Sequence, residues 1–243
     1  MVFTNRWVCK TVEDFDIERV RRTLQNYYAT ETGEEYELVS MIELEPEIVA
    51  ADRTTSLNGK LYFQREVGYS DFNITASREI HQIPHIQRIT ESIDFWFSSN
   101  PGLFLFRHKD DTVIHGREIL SEIIFEDSGK IKSLEFNIEQ IENSINNGTL
   151  QGMWTFSYKN RQGNIHSGNA YGNDVNQDPM YSQTIGAPRN FIGVECSIGN
   201  EIAKVAIYRG GSITIFSDLE DPAQLLDLFN IIEGFEQYAQ IID

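Results

Sequence analysis

Two alternating segments near the C-terminal end constrain the fold more than any other feature of this chain. Apolar and less apolar residues alternate over residues 203–208 and again over residues 212–217. The residues between them are Arg209-Gly210-Gly211, and glycines supply the positive φ that a tight turn between strands needs. The pattern therefore predicts a β-hairpin of two half-buried strands.

A helix start follows this hairpin directly. Asp221 is a capping residue, Pro222 suits the first helical position, and the Gln224 side chain can bond back to the cap. A hairpin joined to a helix favours the α+β class, in which helices pack on antiparallel sheet.

Hydrophobic periodicity predicts three to four helices and a larger number of strands in the whole chain. Besides the closing helix, helices are expected at residues 11–29, 84–98 and 138–146. Strands are expected at residues 36–44, 61–63, 103–106, 153–158 and 191–198. Further hairpin turns are expected at Asn58-Gly59 and at Asp127-Ser128-Gly129.

The predicted elements divide the chain into an N-terminal α+β half, residues 1–110, and a C-terminal half, residues 111–243. The alternative, one continuous domain, stays open. From residue 133 to residue 237 the order of strands and helices is similar to helix-grip folds, where a curved antiparallel sheet wraps one long helix. It also resembles the repeat unit of TATA-binding-protein-like domains. The resemblance implies a fold for the C-terminal half and no function.

Charge is the strongest global property of the sequence. The formal net charge is −17, and the isoelectric point is near 4.6. A phosphate backbone or an anionic membrane surface would be repelled, so direct binding to nucleic acid or membrane is not expected. Two interpretations stay open, namely a general adaptation for solubility or an acidic proteome, and a surface for a basic partner.

The densest acidic block spans residues 31–52 and contains no Lys or Arg. The candidate partner-binding residues within it are Glu31, Glu34, Glu35, Glu37, Glu43, Glu45 and Glu47. Alternate carboxylates on a strand point to one face, which suits a surface for a partner. The leading hypothesis is a non-enzymatic binding or regulatory protein, of the inhibitor or immunity type, that docks on a basic protein surface.

The second hypothesis is a small-ligand-binding module with a pocket between the curved sheet and the C-terminal helix. Phe216, Leu225 and Phe229 are the candidate lining residues. The alternative for these three side chains is that they simply fill the core.

The third hypothesis is a hydrolase that uses His81, His85 or the carboxylates of Glu118, Glu122 and Glu126, with or without a metal. The two histidines have the spacing of ligands on one helix face, but Pro84 lies between them. Residues 174–178 resemble the start of a calcium loop, yet Pro179 stands where glycine belongs. A polar turn cluster is the simpler interpretation.

Other signals favour a protein without catalytic machinery or cofactor. The sequence contains neither a Gly-x-Ser-x-Gly elbow nor a phosphate loop ending in Gly-Lys-Ser/Thr. Cys9 and Cys196 are expected to be free thiols. No apolar run approaches the roughly 20 residues that span a bilayer. Charged residues occur within the first ten positions, which is too early for a signal peptide. The expected location is the cytoplasm.

Overall fold

The computed structural model describes residues 4–11, 16–46, 48–49, 55–75, 77–98, 102–107, 110–146, 152–159, 166–198, 201–216 and 222–242. Its helices are α1 (Ile17–Leu24), α2 (Asp110–Phe125), α3 (Ile138–Asn146), α4 (Pro179–Ser182) and α5 (Pro222–Glu236). The strands of the first half are β1 (Thr4–Thr11), β2 (Tyr28–Thr32), β3 (Glu37–Leu44), β4 (Ile48–Val49), β5 (Thr55–Ile74), β6 (Ile80–Ser98) and β7 (Leu103–Arg107). Those of the second half are β8 (Ile131–Phe136), β9 (Met153–Tyr158), β10 (Gly168–Tyr171), β11 (Phe191–Ile198), β12 (Glu201–Tyr208), β13 (Ser212–Ile215) and β14 (Ala239–Ile242).

These strands form one antiparallel sheet, which confirms the prediction of antiparallel sheet with packed helices. The main path runs β10-β9-β11-β12-β13-β1-β7-β6-β5-β3-β2, and β8 joins β1 to β14. Strand exceeds helix, so the molecule lies at the β-rich end of the α+β class. No helix in the described ranges is both long enough and apolar enough to cross a membrane.

Two hydrophobic cores lie on opposite faces of this sheet. Val8 and Leu105 point into one core, whereas their neighbours Cys9 and Phe104 point into the other, as alternation along a strand requires. Helices α3 and α5 cover the first core, and helices α1 and α2 cover the second. Each half of the sheet therefore has one face that these helices do not cover. The proposed boundary at residue 110 stays a prediction.

The closing hairpin lies where the sequence places it. Strands β12 and β13 pair in register, Val205 with Ile215 and Ile207 with Ile213. Gly211 adopts a φ of 88°, and α5 begins at Pro222.

The helix predicted for residues 84–98 is wrong, because this segment forms strand β6. Its apolar residues fit a helical period, but burial follows the strand period, with Ile93, Phe95 and Phe97 all in the core. The long pairing with β5 over residues 80–98 decides the structure. Pro84 lies inside this strand rather than at a helix start.

Two predicted hairpins are also wrong, at residues 58–59 and at residues 127–129. Asn58-Gly59 continues through strand β5, where a Cβ on Gly59 would lie 2.5 Å from the Glu43 carbonyl oxygen. Close packing, and not a turn, accounts for that glycine. The turn at residues 127–129 joins helix α2 to strand β8 instead of two strands. There the Ser121 hydroxyl donates to the Asp127 carbonyl oxygen at 2.6 Å and accepts from the Lys130 backbone N–H at 2.9 Å.

Strands β5 and β6 form an unusually long hairpin of 20 and 19 residues. We call its outer part, residues 67–74 and 80–87, the arm. Phe72, Ile74 and Ile80 on the arm are each 69% exposed. The arm therefore extends beyond both hydrophobic cores.

Candidate partner-binding surface

The acidic block folds into the two outermost strands of the sheet. We call residues 28–45, strands β2 and β3 with their turn and the residue after β3, the acidic hairpin. The described glutamates of the block are exposed on it, namely Glu31, Glu34, Glu35, Glu37, Glu43 and Glu45. Glu47 lies outside the described residues. The six described glutamates thus lie together on the acidic hairpin.

Alternation along β3 separates the carboxylates from the core. Leu38 and Ile42 are buried, and Ile42 packs in the core beneath α1 and α2. Glu37 and Glu43 have the opposite parity, so they lie on the face that these helices leave uncovered. Glu31 pairs with Leu38 and therefore lies on the helix side, at the edge.

The six glutamates share one electrostatic property. Among the described residues, none of their carboxylates has a Lys or Arg nitrogen within 4.0 Å. Basic side chains pair with other acids instead, as Arg65 does with Glu91 at 2.6 Å and Lys60 with Asp94 at 3.2 Å. Among the described residues, the carboxylates of the acidic hairpin therefore make no direct ion pair with Lys or Arg, although Lys60 lies opposite Glu43 in the strand register.

A single carboxylate fixes the turn of the acidic hairpin. The backbone N–H groups of Glu34, Glu35 and Tyr36 donate to the Glu66 carboxylate at 2.7, 2.8 and 2.8 Å. These hydrogen bonds, with that from Glu35 contributing most, hold the pKa of Glu66 below its ordinary value of 4.5. A Cβ on Gly33 would lie 2.6 Å from Glu66 Oε1, so glycine at this position permits the approach.

Glu66→Gln is expected to loosen this turn. The amide keeps one accepting oxygen but loses the charge that three donors share. At neutral pH the protection of amides 34–36 against hydrogen exchange should fall roughly tenfold, the factor expected for losing about one bond to a charged acceptor. Equal protection in the two proteins would show that Glu66 does not hold the turn.

The wild-type turn has a pH dependence of known sign. Because the folded pKa of Glu66 is below 4.5, its stabilising contribution is fully present above pH 4.5. This contribution is lost as the pH falls through the lowered folded value. Protection factors of amides 34–36 should therefore decline only below pH 4.5 in wild type and stay low at all pH values in Glu66→Gln.

An open groove of about 840 Å³ lies along the acidic hairpin, between strand β3 and the end of helix α1. Tyr28, Met41 and Leu44 give it apolar walls, and Glu43 and Glu45 add carboxylates. Arg21 of α1 also lines the groove, and its guanidinium pairs with Glu18 at 3.5 Å. The Tyr62 hydroxyl donates to Glu43 at 3.0 Å, and the Asn58 amide donates to Glu45. Both donors are neutral, so they orient the two carboxylates without removing their charge.

Basic side chains lie nearer to the middle of the sheet than Glu43 does, on the face that α1 and α2 leave uncovered. Strand register places Arg6, Arg107, Asp94, Lys60 and Glu43 in one row across five strands. The Arg6 guanidinium lies 4.2 Å from the centre of the Trp96 ring. Burial, with Arg107 as a second cause, lowers the pKa of Arg6 to about 10. The face is therefore acidic at its outer edge and basic towards the middle of the sheet.

The histidine candidates do not form a site with each other. His81 and His85 lie on strand β6, where four residues span about 13 Å rather than one helical turn. His81 Nε2 lies 3.6 Å from Glu79, and His85 Nε2 lies 3.4 Å from Asp71. Within the described ranges, no group of three metal-ligating side chains converges.

The acidic candidates of the hydrolase hypothesis lie along helix α2 and just after it. Glu118 is 4.0 Å from His115, and Glu126 follows the helix with a φ of 56°. In the calcium-like segment, Asp178 caps helix α4 by accepting the Met180 backbone N–H at 2.7 Å. Helix capping accounts for that carboxylate, and the hydrolase stays a prediction.

The proposed pocket residues lie in different surroundings. Phe229 is buried in the core beneath α5. Phe216 contacts the Trp154 ring edge-on, with 4.8 Å between ring centres. Leu225 is in α5, but its side chain lies outside the described atoms. Phe216 and Phe229 do not line the groove beside the acidic hairpin or three smaller cavities among the described residues, and the ligand-binding module stays a prediction.

Sequence patterns do not indicate two features of the candidate surface. Glu66 is 30 residues from the turn that it fixes, and no spacing rule joins them. The sequence predicts a helix over residues 11–29, whereas Tyr28 begins strand β2 and is 65% exposed. Asn26, with a φ of 60°, marks the end of the helix; asparagine tolerates this conformation and is the available local signal.

Comparison with protein-family models finds no match for this chain. A comparison with curated proteins likewise finds no match. Function is therefore inferred from the geometry and charge of the molecule.

Proposed function

We propose that this chain is a non-enzymatic binding or regulatory protein whose acidic hairpin docks on a basic surface of a partner protein. The observation that carries the proposal is the set of six exposed glutamates without a cationic partner among the described residues. Unneutralised charge at one edge raises the rate of encounter with a basic surface and rejects polyanions.

The groove beside the acidic hairpin suits a lysine or arginine side chain. Such a side chain has an apolar stem and a charged end. The walls formed by Tyr28 and Met41 match the stem, and the carboxylates of Glu43 and Glu45 match the end. A basic segment therefore gains both contact and charge there.

Strand β2 adds a second means of recognition. It is the last strand of the main path and pairs with β3 alone among the described strands. An extended segment can add to such an edge through main-chain hydrogen bonds, while side chains give specificity. The partner we propose thus presents an extended basic segment to β2 and the groove.

This binding mode fits an inhibitor or immunity-type protein in the cytoplasm. A nucleic-acid-binding partner presents a basic surface, and a protein of net charge −17 can cover it in place of the polyanion. We also propose that the C-terminal half is helix-grip-like. Its support is α5, which places Leu228, Phe229 and Ile232 in the core against the sheet.

A salt titration tests the proposed function. The probe is a fluorescent peptide of about ten residues that alternates arginine with valine, and the control alternates glutamate with valine. Binding of the basic peptide should weaken at least about tenfold between about 50 mM and 500 mM NaCl, because salt screens the attraction. The acidic peptide should not bind. An affinity for the basic peptide that is the same at both NaCl concentrations would contradict the proposal.

A further inference from the structure

The arm exposes apolar side chains far from the acidic hairpin's groove. Phe72, Ile74 and Ile80 lie on one of its faces, since Ile74 pairs with Ile80 and Phe72 with Gln82. All three apolar side chains are 69% exposed. Tyr69 and Ile83 are exposed on the opposite face. An isolated two-stranded hairpin is marginally stable in water, so a third strand or a packed partner would stabilise the arm.

The hydrogen-bonding pattern shows which backbone groups point outward. The Thr75 N–H donates to the Glu79 carbonyl oxygen at 2.9 Å, so these two residues form a hydrogen-bonded pair within the hairpin. In an antiparallel ladder the hydrogen-bonded and non-hydrogen-bonded pairs alternate. The even-numbered residues of the arm are therefore non-hydrogen-bonded, and their N–H and C=O groups point away from the hairpin.

The two edges of the arm differ. On β6 an outward position is occupied by Pro84, which has no N–H and interrupts the row of donors. On β5 the outward positions are Gly68, Ser70, Phe72 and Ile74, and each has its N–H. Strand β3 pairs with β5 only as far as Phe63, and no described strand pairs with β5 beyond it on that side. The β5 edge is therefore the edge that can form a continuous row of hydrogen bonds with a further strand.

We propose that two copies of this chain associate by antiparallel pairing of the β5 edges of their arms. Any antiparallel edge is complementary to itself around a twofold axis, so one patch serves both copies. The product is a four-stranded sheet in which β6 lies outermost in each copy. A sheet needs about three strands to be stable on its own in water, and the isolated arm has two. The joint sheet has four.

Charge favours a second copy over a basic partner at this edge. One face of the arm has no charged side chain; its residues are Gly68, Ser70, Phe72, Ile74, Ile80, Gln82, Pro84 and Ile86. Outward groups belong to even-numbered residues, so even positions pair with even positions. The uncharged faces of the two arms then fall on the same side of the joint sheet.

The length of the arm separates the two acidic bodies. From Glu66 to Ile74 is eight residues, or about 26 Å of strand. The Debye length at physiological salt is about 8 Å, so the repulsion between the bodies is largely screened. Dimerisation should therefore depend weakly on salt, unlike the binding of a basic partner, and the two proposals fail independently.

Ser70→Pro and Gln82→Pro form a matched pair of test variants. Each removes one outward N–H, on β5 and on β6 respectively, and each removes the hydrogen bond from Gln82 to Ser70. Light scattering of the wild type should give about twice the chain mass of 27.9 kDa. Gln82→Pro should keep that mass, and Ser70→Pro should give the monomer. A monomeric wild type, or a dimeric Ser70→Pro, would overturn the proposal.

Residue-resolved hydrogen exchange on the unmodified chain provides the second readout. As protein concentration rises, the amides of Gly68, Ser70, Phe72 and Ile74 should gain protection, and the outward amides of β6 should not. Protection confined to β6 would overturn the assignment of the edge. Protection that appears only with the basic peptide would identify another protein as the occupant and overturn the dimer.

Discussion

Gly211→Ala is expected to lower the free energy of unfolding by about 4 kcal/mol, because two separate costs act at this residue. Its φ of 88° disfavours any side chain, and a Cβ would lie 2.0 Å from the Leu134 carbonyl oxygen. The Gly211 carbonyl also accepts the Val8 backbone N–H at 2.9 Å, so the turn cannot shift freely. Urea unfolding followed by circular dichroism measures the loss.

Gly210→Ala is the matched control for this prediction. A Cβ at residue 210 meets nothing within 4 Å, and its φ is not in the positive range. The free energy of unfolding should therefore change by less than about 0.5 kcal/mol. Equal effects at the two neighbouring glycines would contradict the fit of this turn against strand β8.

Glu142→Ala is expected to destabilise the protein by about 3–5 kcal/mol, since it leaves a buried guanidinium without its counter-charge. The Arg189 side chain is 0% exposed and donates from Nε and Nη2 to Glu142 Oε1 at 3.1 and 2.9 Å. The Phe156 and Tyr181 rings lie 4.7 and 5.4 Å from its guanidinium carbon. Its other described acceptors are the Thr184 hydroxyl at 3.2 Å and the Ser157 carbonyl oxygen at 3.4 Å, which are neutral and do not replace the carboxylate.

Glu139→Ala, on the same helix as Glu142, is the control. Glu139 pairs with Arg209, and both side chains are more than one-third exposed. Solvent screens this pair, so the loss should stay below about 1 kcal/mol. A loss for Glu142→Ala as small as that for Glu139→Ala would show that Arg189 is not dependent on the ion pair.

Local signals in the sequence predicted the parts of the fold that local contacts determine. The β12–β13 hairpin is an example, because its alternating residues and two glycines all lie within residues 201–215. Residues 84–98 are the opposite case. Their apolar residues fit both periods, and pairing with residues 14 to 42 positions earlier in the chain determines that they form a strand. No window along the sequence contains that information.

For the candidate surface too, local patterns in the sequence predicted the location of the residues but not their tertiary contacts. Composition located the acidic block, and alternation predicted that its carboxylates would share a face. Glu37 and Glu43 do share a face, whereas Glu31 lies on the other one. The six glutamates have no cationic partner among the described residues, because Lys60, Arg65 and Arg189 pair with other acids. Those pairs depend on the tertiary structure. The hold of Glu66 on the turn and the exposure of the arm likewise follow from the long β5–β6 pairing.

Two variants of equal charge give the most direct test of the acidic hairpin as a binding surface. Glu31→Gln with Glu34→Gln, Glu35→Gln and Glu37→Gln changes the formal charge from −17 to −13 at the hairpin. Asp111→Asn with Glu118→Gln, Glu126→Gln and Glu233→Gln makes the same change from −17 to −13 elsewhere. If the hairpin binds the basic peptide, the first variant should lose about tenfold in affinity and the second less than about twofold. Equal losses in both would contradict a localised site and leave only the overall charge of the protein as the cause.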